Sequence, residues 1–578
     1  MNREIYRLVV LVLLLLHPLI NMQGQHSYPV NYFRSPVNFP ITLSGSFAEI
    51  RRNHFHSGID IRTAGVQGKP IYAVADGYVS RVNVSPSGFG KALYITHPNG
   101  YTSLYAHLHR YAGAIASWVK NRQYKTESFA IDVEVPVGAL RVKKGDIIAY
   151  SGNSGSSGGP HLHFEIRDAQ TQEIIDPLDF GFIQKDGISP RISSIKIYPF
   201  SENATVNNAT SPLLIPVIGA HGQYALKTPD TIRLSGSIVF GIETSDNGEG
   251  GLNTGVHAIE LTVDDVKVFS QDIERFAFAE TRYVNSVIDY PAFIQRKRKI
   301  QRSYVAPNNK LSVFKEVKNR GVINFSDART HKIRYMVRDA LGNMSNLVFY
   351  VRSRPPANEG GGLTTQGIGP AQVFTYKADN QFERSNCRLY VPKEALYDDL
   401  PFEYTVTPPV NGSYAYVHHL QNKNSPLHTF CALSIKAESM PAHLEGKAVI
   451  VEVGANNRFS SRGGSFENGW VKTRIRDFGN YTVAVDTEPP VIRPVNIVPN
   501  KKVTKQSTIQ VKVSDNLSGI KVYRGTLNGK WILMDYDEKN RLLVYSFDEN
   551  IKTGKNHFVL MVADAAGNST LYKATLIR

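Results

Sequence analysis

Cysteine is scarce in this chain. Two residues in 578, Cys387 and Cys431, cannot build a cysteine-ligated zinc site or a disulfide-dense scaffold. A metal here has to be held by histidine and carboxylate. Neither cysteine lies near the start, so no residue there could carry a lipoprotein anchor. Long apolar runs are also missing. The run Leu8 to Leu16 has nine residues before His17-Pro18, far short of the ~20 needed to span a bilayer, and no later segment could span one. Dense Lys/Arg blocks are absent as well. The net charge of +16 is spread out, with +11 of it over residues 186–578, which argues against a nucleic-acid partner. A diffuse basic surface suits an anionic polymer or cell envelope, and equally simple solubility. Nothing marks the chain as disordered, with 42% hydrophobic and 20% charged residues. The length allows about three to five domains.

Arg3 and Arg7 precede the short apolar run, the pattern of a secretory signal over 1–25. An uncleaved N-terminal anchor is the alternative. The mature protein is expected to be exported (periplasmic, cell-envelope or secreted), with no membrane-spanning segment. Export permits a Cys387–Cys431 disulfide, which would contribute about 3–4 kcal/mol in the chain-entropy account. Two free, buried cysteines in neighbouring strands are the competing expectation.

The chain reads as mostly β, in several blocks. Residues 26–185 carry short apolar strands and glycine turns, such as Ile71-Tyr72-Ala73-Val74 before Asp76-Gly77. Within them, 111–140 lacks that rhythm and looks like an insertion. Beyond 186 a weak repeat emerges. Asp186…Pro190-Arg191-Ile192 and Asp486…Pro490-Val491-Ile492 open the two copies; Ser-Asp-Asn follows at 245–247 and 514–516; Asp-Ala-x-Gly-Asn closes them at 339–343 and 564–568. The first copy has extra residues, largely a charged stretch around Arg282–Arg302. Alternation at Ile509, Val511 and Val513 marks a half-buried strand. We therefore expect immunoglobulin-like β-sandwiches at 186–355 and 486–578. A linker or long loop should cover 356–370, and a further β-rich domain 371–485. The segment Tyr390 to Leu396 bears a slight resemblance to ZU5-type β-domains.

Histidine is where the chemistry concentrates. Seven of 17 histidines lie between 54 and 163, including three His-x-His pairs, against about 0.5 such pairs expected from composition in the whole chain. Three segments supply the parts: His56-Ser57-Gly58-Ile59-Asp60, Tyr105-Ala106-His107-Leu108-His109, and Gly159-Pro160-His161-Leu162-His163-Phe164-Glu165. On a strand, His161, His163 and Glu165 share a face, with the two histidines about 6.6 Å apart. One could hold a metal while the other reaches a water bound to it. Spacing alone leaves open which does which. His56 and Asp60 would lie about 13 Å apart on a straight strand, so the chain must bend between them, and Gly58 is the residue that permits it. Catalytic zinc takes three protein ligands and keeps a fourth position for water.

These motifs, in this order, resemble the lysostaphin/LytM-type zinc endopeptidases, metallopeptidase family 23. Gly68-Lys69-Pro70-Ile71-Tyr72-Ala73, Lys144-Gly145-Asp146 and Ser151-Gly152-Asn153-Ser154-Gly155 add to the likeness, which covers about residues 36–180. Ser157-Gly158-Gly159-Pro160 replaces a more usual Ser-Thr-Gly-Pro. The resemblance implies an antiparallel-sheet metallopeptidase fold, zinc as cofactor, and peptide bonds of peptidoglycan stems or crossbridges as substrate. It implies His56, Asp60 and His163 as metal ligands, with His161 and His107 as catalytic histidines that activate water and stabilise the oxyanion. His54 and His109 then read as structural or groove-lining. His97 reads as a hydrogen-bonded residue beneath the site. Glu165 is a partner of the ligands or a structural ion pair. Because every matching motif falls there, 26–185 is expected to act on its own. Two other functions stay in view: an envelope-binding or assembly protein with a non-hydrolytic peptidase-like domain, and a metallopeptidase acting on exported proteins.

Overall fold

The computed structural model describes residues 28–183, 187–228, 231–246, 254–355, 372–438 and 440–578. The expected signal at 1–25 and the linker at 356–370 lie outside them. The described chain is mostly β, and none of its helices is long and apolar enough to cross a membrane.

The N-terminal unit is built on one antiparallel sheet. Its strands are β1 (Leu43–Gly45), β2 (Ile59–Arg62), β3 (Gly77–Val84), β4 (Lys91–Thr96), β5 (Tyr101–Ala106), β6 (Ile131–Glu134) and β7 (His161–Asp168), in the order β1-β2-β7-β5-β4-β3-β6. Strand β7 follows the expected alternation. Leu162, Phe164 and Ile166 are fully buried in the main core with Ile59, Ile61 and Tyr105. Each such side chain contributes about 1.5–3 kcal/mol by burial. The opposite face of β7 is thereby committed to His161, His163, Glu165 and Arg167.

Residues 111–140 do not simply leave the sheet. They form helix α1 (Gly113–Thr126) and then β6, which pairs with β3 through Ile131↔Val84 and Val133↔Val82. Helix α1 is hard to read from sequence because it buries only a narrow stripe, Ile115, Val119 and Gln123, and has no side-chain N-cap. Its Tyr124 and Lys120 meet the C-terminal unit instead.

Three further β-rich regions follow. Residues 191–354 share one core around Ile195, Phe240, Leu261 and Tyr335. Residues 380–485 form two five-stranded sheets on a common core. Residues 491–577 form a sandwich of two four-stranded sheets that bury Val511, Tyr545, Leu560 and Leu576 between them. The internal repeat is visible in detail. In one copy Asp339 bonds the Asn343 amide, and Ser345 Oγ bonds the Pro190 carbonyl. In the other, Asp564 bonds Asn568 and Thr570 Oγ1 bonds the Pro490 carbonyl.

The extra residues of the first copy have a role the sequence does not announce. The strand Arg275–Phe276 pairs with Ile174–Ile175 of the N-terminal sheet. Tyr283, Val284, Val287, Tyr290 and Phe293 then share a core with Phe47, Ile50 and Phe55. The expected Cys387–Cys431 disulfide is not formed: both thiols are free and buried. Their strands pair with Cys387 opposite Ile435, which sets Cys431 four residues away along the ladder, about 13 Å. That is well beyond disulfide reach. Burial pushes both thiols up to about 12.

Candidate metal centre

Sheet register assembles the site. Within β7, His163 lies opposite Asp60 of β2 on one side and Ala106 of β5 on the other. The next residue, His107, has φ 57°. A left-handed turn costs a non-glycine residue roughly 1–2 kcal/mol, and here it ends β5 and turns the imidazole toward β7. Backbone bonds hold the turn, from His107 N–H to Phe89 O and from Leu108 N–H to Lys91 O. Between His56 and Asp60 the chain bends as expected, but Gly58 is needed for space. A Cβ there would sit 2.3 Å from the Phe164 carbonyl oxygen.

Three donor atoms converge on one point. His56 Nε2 is 3.1 Å from Asp60 Oδ1 and 3.0 Å from His163 Nδ1, and His163 Nδ1 is 2.9 Å from Asp60 Oδ1. All three residues are buried. The second nitrogen of each histidine fixes its tautomer. His56 Nδ1–H donates to the Ser46 carbonyl at 2.6 Å, and His163 Nε2–H donates to Glu165 Oε1 at 2.9 Å. With both rings neutral, the two facing nitrogens, His56 Nε2 and His163 Nδ1, carry lone pairs aimed at a carboxylate oxygen. Such a trio repels itself unless a metal cation or a proton stands among its members. Histidine ligands with outer partners of this kind are the usual design of metal sites. Two imidazoles and one carboxylate are a donor set that a divalent transition metal, zinc among them, can take.

Electrostatics agree. Burial would lower His163, yet the hydrogen bonds it donates to Asp60 and Glu165 push it up to about 9. Burial would raise Asp60, yet the His56 charge and bonds from His161, His163 and His56 hold it well below the usual carboxylate range. Glu165 is completely buried and held down at about 2 against that burial, first by Arg167 and then by His163 and Ser57. The pocket is thus tuned for positive charge, which a metal ion would supply. Glu165 is both an outer partner of the histidine and one half of an ion pair with Arg167.

The other two histidines stand at the rim. His161 Nδ1 is 2.8 Å from the Gly159 carbonyl and 3.2 Å from Ser157 Oγ, while its Nε2 comes within 3.3 Å of Asp60 Oδ1. His107 Nδ1 donates to the Ser154 carbonyl at 2.9 Å, and burial, then His163 and His161, push it down to about 3. The rings of His107 and His161 lie 4.8 Å apart. They border a groove of about 530 Å³ lined also by Ser44, Arg62, Ala64, Gly158 and Pro160.

His56, Asp60, His107, His161 and His163 are thus brought together, and three other histidines are not. His54 is exposed and bonds the Arg52 carbonyl. His97 bridges the Asp76 carbonyl and Ser103 Oγ beneath the sheet, and burial pushes it down to about 4. The His109 backbone bonds Tyr150 and Lys91, away from the donor trio. One contributor escaped the sequence. Arg51 Nη2 bonds Asp60 Oδ2 at 2.7 Å, which leaves Oδ1 as the oxygen facing the histidines. Nothing in the local pattern marks it. Arg167 could have been found by extending the alternation of β7 by one more step.

Comparison with known proteins agrees with this geometry. Residues 54–124 and 130–177 match the family model described as Peptidase family M23, and residues 371–486 match that of the Zu5-like domain. An uncharacterized metalloprotease of Haemophilus influenzae is 32% identical over 151 residues, 25% of this chain and 26% of its own length. The DD-carboxypeptidase/endopeptidase Mpg of Neisseria meningitidis is 34% identical over 112 residues, 19% of this chain and 20% of its own. The peptidoglycan DD-endopeptidase ShyC of Vibrio cholerae is 32% identical over 141 residues, 23% and 26% respectively. The chain spans about a quarter or less of the length of these relatives. The N-terminal unit contains an M23 peptidase domain, and a Zu5-like β domain lies C-terminal to it.

Proposed function

We propose that this protein is an exported, zinc-dependent endopeptidase that hydrolyses peptide bonds of peptidoglycan stems or crossbridges. The observation that carries the proposal is the trio of lone-pair donors, His56 Nε2, His163 Nδ1 and Asp60 Oδ1, meeting within about 3 Å at the edge of an open groove. The substrate class is taken from ShyC, whose name describes a peptidoglycan DD-endopeptidase; Mpg is named a DD-carboxypeptidase/endopeptidase. The envelope location follows from it. Immunoglobulin-like identity for 186–355 and 486–578 belongs to the same proposal, supported by the two four-stranded sheets of 491–577 and by the hairpin bonds repeated in both copies.

His56, Asp60 and His163 would hold the zinc. When bound there, zinc polarises the scissile carbonyl and makes water more acidic. The rest of the chemistry belongs to this chain. His107 donates its Nδ1–H to a fixed carbonyl, so its Nε2 is a free acceptor, and burial keeps the ring neutral at pH 7. The Gly159 carbonyl orients His161, whose Nε2 lies 3.3 Å from Asp60 Oδ1. The two imidazoles bordering the groove can take a proton from the attacking water and return it to the leaving amine. Arg51 keeps Asp60 from rotating.

The test separates ligands from proton carriers. Asp60→Ala and His163→Ala should lose zinc on metal analysis. His161→Ala should keep it and lose turnover by about 10²–10⁴-fold, and His107→Ala should follow His161→Ala. Zinc lost from His161→Ala but kept in His163→Ala would reverse the assignment of the pair. Purified sacculi and a denatured protein, offered side by side with mass spectrometry of the products, decide the substrate class. Zinc retained without turnover on either would favour the docking function instead.

A further inference from the structure

The loop 153–159 does more than connect strands. Its Ser154 and Gly159 carbonyls receive the Nδ1–H groups of His107 and His161, so it sets the tautomer and direction of both rim histidines. Ser157 Oγ adds a bond to Gly159 O and lies against His161 Nδ1. On its inner side the loop is tied to the sheet. Ser154 Oγ accepts from Lys91 N–H and donates to Leu108 O, and Ser156 Oγ accepts from Gly88 N–H.

On its outer side it is held from more than 380 residues away in sequence. Lys539 lies in the turn between strands Met534–Asp537 and Leu542–Ser546 of the C-terminal sandwich. Its ammonium donates to Asn153 O, to Asn153 Oδ1 at 3.0 Å and to Ser157 O at 2.9 Å. An ammonium has three N–H groups, and here each has an acceptor on the loop. The turn itself is braced, with Asp537 accepting from the Asn540 backbone and side chain. Lys539 does not line the groove; it stands behind the loop that does. The sandwich is seated independently nearby, where Trp531 meets Tyr124 of α1 and Lys120 pairs with Asp548.

We infer that Lys539 is a positioning residue, through which the C-terminal sandwich fastens the loop that orients His107 and His161. The inference rests on the hydrolytic reading of the site. It runs against the expectation that 26–185 acts alone, since a segment ending at 185 lacks this clamp.

The test uses the zinc-loaded full chain with Lys539→Met, Lys539→Arg and Lys120→Met. Lys120→Met weakens the same docking surface away from the loop. Three quantities are measured: zinc per chain, hydrogen exchange of 151–160, and kcat and KM on soluble crosslinked peptidoglycan fragments. Lys539→Met should keep its zinc, exchange faster over 153–159, and lose kcat by about ten- to a hundredfold with KM unchanged, as small misplacements of catalytic groups do. Lys539→Arg should recover part of the loss. Lys120→Met should match the wild type in all three. Wild-type exchange and kcat in Lys539→Met would overturn the inference. So would a Lys120→Met variant that reproduces the loss, since Lys539 would then be one docking contact among several. A wild-type chain that cleaves no fragment overturns the hydrolytic function. The exchange arm still decides whether Lys539 clamps the loop.

Discussion

The peptidase domain meets the rest of the chain on two surfaces of opposite character. On one, Phe47 and Phe55 lie against Phe276 at ring distances of 5.0 and 5.7 Å, and paired strands run across the boundary. On the other, Lys91, Lys120 and Glu127 face Asp535, Asp548 and Arg524. The first surface shares a hydrophobic core bordered by ion pairs such as Arg275–Glu173 and Lys299–Glu49, and resembles the interior of one folding unit. The second is charged around a thinner apolar strip, with Leu533, Tyr523 and Tyr536 packed on the peptidase core. It is also the surface that reaches the loop beside the site. Stability and control of the chemistry are thereby placed on different faces.

The largest test of this contrast removes Phe276. Truncating a fully buried phenylalanine costs about 3–5 kcal/mol. Phe276→Ala should therefore shift the unfolding of the peptidase domain and of residues 191–354 together, as followed by calorimetry and by hydrogen exchange in each. A shift confined to 191–354 would mean that the shared core does not couple them.

The same boundary carries an unfavourable group. Asp179 is pushed up to about 7, first by burial and then by Asp176, with Glu274 and Asp272 adding and His257 opposing. Its Oδ2 is buried without a hydrogen bond. A raised carboxyl supports the fold fully below its unfolded value near 4, and that support is lost as pH rises through about 7. Asp179→Asn, which carries no charge at any pH, should gain up to about 4 kcal/mol over the wild type at pH 8, and the gain should shrink toward zero at pH 4. Denaturant melts at the two pH values measure it. An equal gain at both would tie the effect to shape and not to charge.

How much of this was legible depends on range. The alternation of His161 to Glu165 gave the correct face of β7, because strand parity is local. The bend at Gly58 was also readable, although its cause, contact with the Phe164 carbonyl, needed the neighbouring strand. Arg51 was invisible, since its partner Asp60 is nine residues on and nothing local distinguishes it from Arg52. The charged stretch around Arg282–Arg302 reads from sequence only as extra residues of the first copy. Its apolar residues Tyr283, Val284, Val287 and Phe293 cover the peptidase domain, a partner only the fold reveals. The two cysteines failed as a pair for the same reason: composition permits a bond that strand register forbids. Lys539 is the extreme case, acting on a loop more than 380 residues earlier.

The smallest expected effect sharpens the contrast most. Arg524 and Glu127 pair at 2.6 Å, but both side chains are about half exposed, and Glu549 opposite Lys120 is more exposed still. Pairs of this kind are worth about 0–1 kcal/mol, and at 1 M salt the screening length falls to about 3 Å. If the apolar strip seats the sandwich, Arg524→Ala should lower stability by less than about 1 kcal/mol, and 1 M sodium chloride should leave α1 as protected from hydrogen exchange as low salt does. Trp531→Ala removes the edge-on contact with Tyr124 at 5.1 Å and should loosen α1 more than Arg524→Ala. A sandwich that detaches in salt would reverse the ranking. The charges would then be the adhesive, and the clamp on loop 153–159 would open and close with ionic strength.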